Sequence, residues 1–382
     1  MKKVRSNIPL VVVAVLLSGN MAAQSRQVST IFQWLNLPTD ARSAGMAGAE
    51  TAVDGDVNAT VGNPARLLLL PLQHNFSADL INFPQISSEA KKISFRYALK
   101  PANSSVFGCS IDYYTNGNIA LLNDYGAEIG TIKQYEYAFG LSYGIQLTES
   151  SFIGTSLRYN RQSTLGSFLG ATSSAGNTVA GDIGYLKDFK LRDQFEKIRF
   201  GVAIKNIGSK VNGQYLPTKF NLGLTYTDGH YDDDRFTSFD FAWSGGLQIE
   251  KLLVPTLPDV DNSGAIISGK DPNNRSVFGN LISTWTDAPG GFSNNLKQLK
   301  YTAYTELLFK KLISFRAGYT YQNPDIGSYQ HFALGAGIVW EYENSDYHIN
   351  LAYLQPVGNA AAYSPLRNVF SLQFIVQFAK NK

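Results

Sequence analysis

The sequence predicts an all-β protein, a transmembrane antiparallel β-barrel of about fourteen strands with an N-terminal plug. Three observations lead to this fold class: apolar residues recur at every second position, the alternating segments are long, and the residues between the apolar ones are small. The segment 134–147, QYEYAFGLSYGIQL, shows the pattern, because Tyr, Phe, Leu and Ile alternate there with Gln, Glu, Ala, Gly and Ser. Alternation of this kind places the two sets on opposite faces of a strand.

The first 23 residues have the layout of a secretory signal peptide. Three basic residues precede an apolar run over 8–17, and small residues follow up to Ala23. A membrane anchor is the alternative, but about ten apolar residues are too few to span roughly 30 Å of hydrocarbon as a helix. We therefore expect residues 1–23 to be removed on export. No later segment is apolar for long enough to predict a transmembrane helix.

Residues 24–73 show no alternation and precede the first predicted strand. They contain small-residue turns and two short pieces able to form helices, and they end in the apolar run LLLLPL at 67–72. The sequence predicts that this segment is a plug folded into or under the barrel, with 67–72 packed at its entrance. A loosely ordered arm is the alternative interpretation.

The barrel is predicted over 74–378, where many strands are longer than the five or six residues typical of soluble proteins. A soluble sandwich would fill its polar face with Lys, Glu and Thr, whereas here that face is rich in Gly, Ser, Ala, Asn and Gln, which suit a crowded lumen. The apolar face is therefore predicted to contact lipid, and the sheet must close because hydrocarbon leaves no partner for an open edge. The predicted strands lie near 74–83, 92–100, 105–114, 134–147, 151–161, 177–187, 198–206, 218–227, 236–250, 298–309, 312–322, 329–342, 346–355 and 367–378.

Loop lengths support a topology with both chain ends in the periplasm. Connections after even-numbered strands are mostly short, as at 101–104 and 343–345, and those after odd-numbered strands are longer. We interpret 115–133 as one of these longer extracellular loops. The longest is 251–297, which mixes four prolines with apolar and aromatic residues.

The loop 251–297 is the predicted partner-binding surface, because a long irregular segment inside a barrel is usually functional. We expect it to fold back on itself and to present apolar side chains outside the cell. Its composition suggests seven candidate partner-binding residues: Val254, Pro255, Leu257, Asp259, Asp261, Trp285 and Phe292.

No metal site or cofactor is predicted. Asp259, Asp261 and Ser263 match the start of a calcium loop, but the twelfth position is Lys270 where a Glu ligand is needed. An Asx-rich turn is the preferred interpretation. The acidic run 232–234 is interpreted as a solvated hairpin tip.

No catalytic residue is predicted, and we expect the protein not to be an enzyme. The chain contains no G-x-S-x-G, H-E-x-x-H or P-loop motif. His348 falls on a lumen-facing position and is interpreted as a hydrogen-bonded barrel histidine. Cys109 is the single cysteine, alternates with apolar residues, and is interpreted as a small apolar side chain. The formal charge of +3 is too small to indicate nucleic-acid binding.

Three stretches of the chain carry a resemblance to one known family. They are LPTDARSAGMAGAETAV with NPARL (37–67), KLLVPTLPD with TDAPGGF (251–292), and SPLRNVFSLQFIVQF (364–378). With them the chain resembles the PorV/PorQ outer-membrane proteins of the type IX secretion system, PorV also being called LptO, which are related to the long-chain fatty acid transporter barrels. The insertion at 251–292 favours PorV, while WLNLPTDAR (34–42) is similar to PorQ.

The resemblance implies an integral protein of the bacterial outer membrane. It implies that the protein binds the folded C-terminal signal domain of exported cargo at the translocon pore protein and delivers it to a cell-surface sortase or attachment complex. Outer-membrane lipid or lipopolysaccharide is a further implied partner. Two alternative functions remain open: passive transport of hydrophobic small molecules, and lipid A deacylation.

Overall fold

The barrel predicted from the sequence is present in the structure. The computed structural model describes residues 27–122, 125–163, 167–168, 171–172, 175–191, 196–230, 241–273, 275–324, 326, 330–358 and 361–379. Within these ranges, fourteen antiparallel strands form one closed barrel, which confirms the predicted fold class. The predicted signal peptide and the acidic run 232–234 lie outside the described residues.

Each barrel strand pairs with its neighbours in sequence, and the last strand closes on the first. We number the barrel strands β1 to β14 in chain order. They are β1 His74–Asn82, β2 Lys91–Ala102, β3 Ser105–Leu122, β4 Glu128–Thr148, β5 Ser151–Gln162, β6 Gly176–Lys190, β7 Lys197–Gly208, β8 Lys219–His230, β9 Phe241–Leu252, β10 Lys300–Phe309, β11 Ile313–Gln322, β12 His331–Tyr342, β13 Ser345–Pro356 and β14 Val369–Phe378.

The two faces of the strands differ as the alternation predicts. In β4, Phe139 and Leu141 are exposed on the outer face, whereas Glu136, Ala138 and Ser142 are buried in the lumen. None of the helices in the described part of the chain has the length and apolar composition needed to cross a membrane. Long connections gather at one end of the barrel, which in outer-membrane barrels is the extracellular end, and short turns gather at the periplasmic end.

The interpretation of 115–133 as a loop is wrong. β3 continues to Leu122 and β4 already begins at Glu128, so most of this segment is the outer part of one long hairpin. Pairing between β2 and β3 stops at Thr115, and the β3–β4 register shifts between Thr115 and Gly117. The hairpin therefore projects beyond the barrel rim, where both of its faces meet water and the alternation that marks a membrane strand is lost.

The N-terminal segment 27–73 fills the lumen and is called the plug. It begins at the extracellular end, where Gln27 bridges to Thr256, and it reaches the periplasmic end at the start of β1. On this path lie helix α1 (Ala41–Gly45) and three 3₁₀ helices, at Gln33–Asn36, Val57–Thr60 and Pro64–Leu69.

The plug packs closely on the inner wall. Asp40 caps α1 by accepting a hydrogen bond from the backbone N–H of Ser43 at 2.8 Å. α1 then lies against β11 to β14, and a Cβ atom added to its Gly45 would lie 2.9 Å from the Cα of Gly335 in β12. Two backbones approach this closely only where both residues are glycine.

Candidate functional site

Buried charged groups hold the plug in place. The guanidinium of Arg66 donates to three backbone carbonyls of the plug, those of Glu50 and Asp54 at 2.8 Å and that of Val53 at 3.2 Å. Arg42 in α1 donates to the Glu306 carboxylate of β10 at 2.8 Å, and Arg316 of β11 donates to the same carboxylate at 2.6 Å. Buried charges are tolerated where they are paired in this way.

The space left between plug and wall is polar. A cavity of about 420 Å³ lies in the lumen near the periplasmic end, and charged or polar side chains dominate its lining. His348 lines this cavity, on the lumen-facing position that the sequence predicts. The lining includes Arg42, Asp54, Lys197, Glu306, Arg316 and Asn350.

The segment 253–299, called the outer loop, is folded around one buried carboxylate. It contains a two-stranded ribbon (Asp259–Val260 with Ile266–Ser268) and the helices α2 (Val277–Ser283) and α3 (Phe292–Lys297). Asp287 is fully buried and accepts hydrogen bonds from Thr256 N–H at 3.1 Å, Thr256 Oγ1 at 2.8 Å and Arg275 Nη1 at 2.9 Å. One side chain thus joins distant parts of the loop.

The outer loop is also attached to the barrel. Lys251 Nζ at the end of β9 donates to Gln298 Oε1 at 2.6 Å, and Gln298 Nε2 donates to Thr256 Oγ1 at 2.8 Å. The Trp285 ring packs edge-on against Phe220 of β8, with 5.5 Å between ring centroids. These contacts fix the base of the loop on the rim.

The plug forms a third attachment. Gln27 Nε2 donates to the carbonyl of Leu252 at 3.0 Å, and the N–H of Val28 donates to the carbonyl of Pro255 at 3.0 Å. Ile31 N–H donates to the carbonyl of Tyr215, in the connection after β7, at 2.9 Å. The first described residues of the plug therefore tie two extracellular loops together.

The structure separates the seven predicted partner-binding residues by accessibility. Leu257 and Phe292 are 43% and 72% exposed, so both are available to a partner. Asp261 is also exposed, and Asp259 is half-buried. Three belong to the base of the loop, because Val254 and Pro255 are buried and Trp285 is half-buried.

Asp261 forms the Asx turn that the sequence predicts. Its Oδ1 accepts hydrogen bonds from the N–H of Ser263 at 2.8 Å, from Ser263 Oγ at 2.6 Å and from the N–H of Ala265 at 2.9 Å. These bonds, led by the one from Ser263 Oγ, lower the pKa of Asp261 from its ordinary value. Over the described part of the chain, no three His, Cys, Asp or Glu side chains are grouped as metal ligands.

Three strongly exposed apolar residues of the outer loop are not among the seven candidates. Phe278 and Ile282 in α2 are 74% and 81% exposed, and Ile267 in the ribbon is 70% exposed. The sequence did contain a signal for α2, because Ser276 caps it and Phe278 and Ile282 are four residues apart, on one face of a helix. That face was missed because the helix is short.

Comparison with solved structures finds toluene transporters at low sequence identity. The toluene transporter TbuX of Ralstonia pickettii is 12% identical, with 89% of this chain and 96% of that chain covered at a TM-score of 0.47. The toluene transporter TodX of Pseudomonas putida is 13% identical, with 93% and 98% covered at a TM-score of 0.47. A search of curated proteins finds no match.

The sequence match to a family model is more specific than these structural similarities. The model of the type IX secretion system protein PorV matches residues 20–259, which include the plug, β1 to β9 and the start of the outer loop. Together with the closed barrel, this match makes the chain an integral outer-membrane protein. It belongs to the PorV family of the type IX secretion system.

Proposed function

We propose that this protein captures the folded C-terminal signal domain of exported cargo on its outer loop as the cargo leaves the translocon pore protein. It then delivers the cargo to a cell-surface sortase. The function is binding and transfer, without a catalytic step or a cofactor. The observation that carries the proposal is the outer loop itself, which is anchored at its base and exposes apolar side chains above it.

The exposed residues have the character of a protein-binding surface. Leu257, Ile267 and Phe292 are large, apolar and accessible on a loop whose fold is maintained by Asp287. Apolar groups presented on a fixed base lose little conformational freedom on binding, and a few such residues usually provide most of the binding free energy. The barrel holds this surface in the membrane plane, which raises the effective concentration of cargo emerging nearby.

The lumen favours this function over passive transport of hydrophobic molecules. Transport would need an apolar path through the barrel, whereas the plug occupies the lumen and the 420 Å³ cavity is lined by charged groups such as Arg42 and Glu306. Lipid A deacylation would need a nucleophile paired with a base, and no such arrangement supports it among the described residues.

The test deletes the two-stranded ribbon and keeps the contacts that attach the outer loop to the barrel. Pro258 and Gly269 are adjacent at its base, because a Cβ atom added to Gly269 would lie 3.1 Å from the Cα of Pro258. Residues 259–268 can therefore be replaced by a short glycine link, while Thr256, Asp287 and Gln298 keep their contacts. A larger deletion over 256–290 would also break the bridge between Gln27 and Thr256.

We expect the ribbon deletion and the double variant Leu257→Asp/Phe292→Asp each to weaken capture of a cargo C-terminal domain about tenfold or more, in a pull-down from detergent. The control is Ile129→Asp, which places an aspartate on an exposed apolar residue of the β3–β4 hairpin, away from the outer loop. Full capture by correctly folded loop variants would exclude the outer loop as the binding surface.

A further inference from the structure

The lipid-facing wall has a groove at Gly181. Leu141, Leu157, Gly181 and Ile207 lie side by side across β4 to β7. Gly181 has no side chain, and a Cβ atom added there would have one neighbour within 4 Å, the carbonyl oxygen of Ser156 at 3.7 Å. The resulting depression has a volume of about 650 Å³, and we call it the wall groove.

Helix α2 of the outer loop reaches over this groove. The Phe278 side chain lines it together with Val179 and Ile207, although α2 follows β9, two strands away from β7. Phe278 and Ile282 are both largely exposed and lie one helical turn apart. α2 therefore lies beside the outer wall of the barrel, and its apolar face is continuous with the surface that contacts lipid.

The height of the groove corresponds to the outer leaflet. Tyr159 follows Leu157 on the outer face of β5, at a level typical of the aromatic belt of a membrane barrel. Arg161 comes next on the same face, is exposed, and pairs across strands with Asn177. A cation at the level of Tyr137, its other cross-strand neighbour, lies at the edge of the aromatic belt and close to the lipid phosphate groups.

We propose that an acyl chain of outer-leaflet lipopolysaccharide occupies the wall groove beneath Phe278, and that this lipid fastens the outer loop to the membrane. The groove wall is apolar, and two large apolar side chains of α2 are stable at this position when they contact hydrocarbon. Arg161 then lies where it meets the anionic head group. The proposal rests on the position of the barrel in the membrane and is independent of cargo capture.

Photo-crosslinking in intact cells tests the proposal. The substitution Phe278→p-benzoylphenylalanine keeps an aromatic side chain in the groove, and we expect it to give a lipopolysaccharide adduct on irradiation. The same substitution at Phe292, which is equally exposed but lies in α3, is expected to give at least fivefold less of this adduct. An adduct with a protein chain at position 278, or no lipid adduct from a folded barrel, would overturn the proposal.

Filling the groove provides a second test. Gly181→Leu is expected to reduce the adduct at position 278 at least fivefold, because the new side chain occupies the space of the acyl chain. Ala336→Leu places the same leucine side chain on the lipid face of β12, far from α2, and is expected to leave the adduct unchanged. An undiminished adduct in the Gly181→Leu protein would exclude the groove as the lipid site. Cargo capture is measured on the same proteins, so that a failure of the lipid proposal can be told apart from a failure of the proposed function.

Discussion

Among the residues that the structure describes, the plug and the outer loop are two long segments outside the barrel strands, and they are attached to the barrel in different ways. The plug lies inside the barrel, where residues such as Ala44, Leu67 and Arg66 are almost completely buried. The outer loop buries Asp287 and part of Trp285 at its base and leaves most of its apolar side chains exposed. Many contacts distributed along its length hold the plug in the lumen. The outer loop is held by a few contacts at its base, which leave its surface available for binding.

This comparison predicts where the protein tolerates change. A substitution that affects plug packing should disturb the whole barrel, because the plug contacts almost every strand. A substitution at the base of the outer loop should disturb the loop and the plug residues bonded to the extracellular loops but not the barrel, and a change in its exposed turns should have little effect on stability.

The largest effect is expected for Gly154→Leu in β5. A Cβ atom at this lumen-facing position would overlap the backbone of Pro64 and Ala65 in the plug. We expect the variant to lose more than about 3 kcal/mol of unfolding free energy, or to fail to assemble. Heat-modifiable mobility on gels and urea unfolding measure this loss. Gly181→Leu, on the outer face of the adjacent strand, is the control, and equal damage from both substitutions would show that plug contact is not the cause.

An intermediate effect is expected for Asp287→Asn. The substitution removes the charge that Arg275 and Thr256 contact and should destabilise the loop by about 2 kcal/mol. Protease cleavage within 257–297 should increase, and the amide hydrogens of Val28 and Ile31 should exchange faster because they bond to the extracellular loops. The barrel should unfold at an unchanged temperature. Asp271→Asn, at an exposed position, serves as the control, and a loop still protected in Asp287→Asn would contradict this assignment.

The smallest effect is expected for calcium removal. Asp261 Oδ1 already accepts three hydrogen bonds from its own turn, and Lys270 occupies the position of the bidentate ligand. Chelation should therefore change cargo capture by less than about twofold and leave the thermal transition unchanged. A calcium-dependent rise in the transition temperature, abolished by Asp261→Asn, would indicate a metal site in this turn.

The barrel strands were predictable because lipid and lumen impose opposite requirements on alternate residues. Where that contrast ends, the prediction failed, as in the β3–β4 hairpin, where β3 extends to Leu122 outside the membrane. The path of the plug was not predictable in detail. Its contacts join residues far apart in sequence, such as Arg42 and Glu306, and they depend on backbone carbonyls that the sequence does not distinguish.

The candidate site was predictable as a segment and less so by residue. Composition identified the outer loop and its exposed Leu257 and Phe292. It could not show that Val254 and Pro255 are buried at the base of the loop. Their burial depends on contacts with the first residues of the plug, such as the bond from Val28 N–H to the carbonyl of Pro255. Asp287 was not recognised either, since a buried carboxylate in a loop has no local sequence signal.

The route of the plug places the first described residue of the chain at the opposite end of the barrel from the end of β14. A barrel with an even number of strands returns its two ends to the same side of the membrane, and His74 and Phe378 indeed meet at the periplasmic end. Gln27, however, lies beside Thr256 at the opposite end. Between Gln27 and His74 the polypeptide makes one additional passage inside its own wall, so Gln27 lies at the extracellular end of the barrel and Phe378 at the periplasmic end. Because the plug leads directly into β1, the strand that closes the barrel against β14, the seam of the wall and the plug are consecutive parts of one chain.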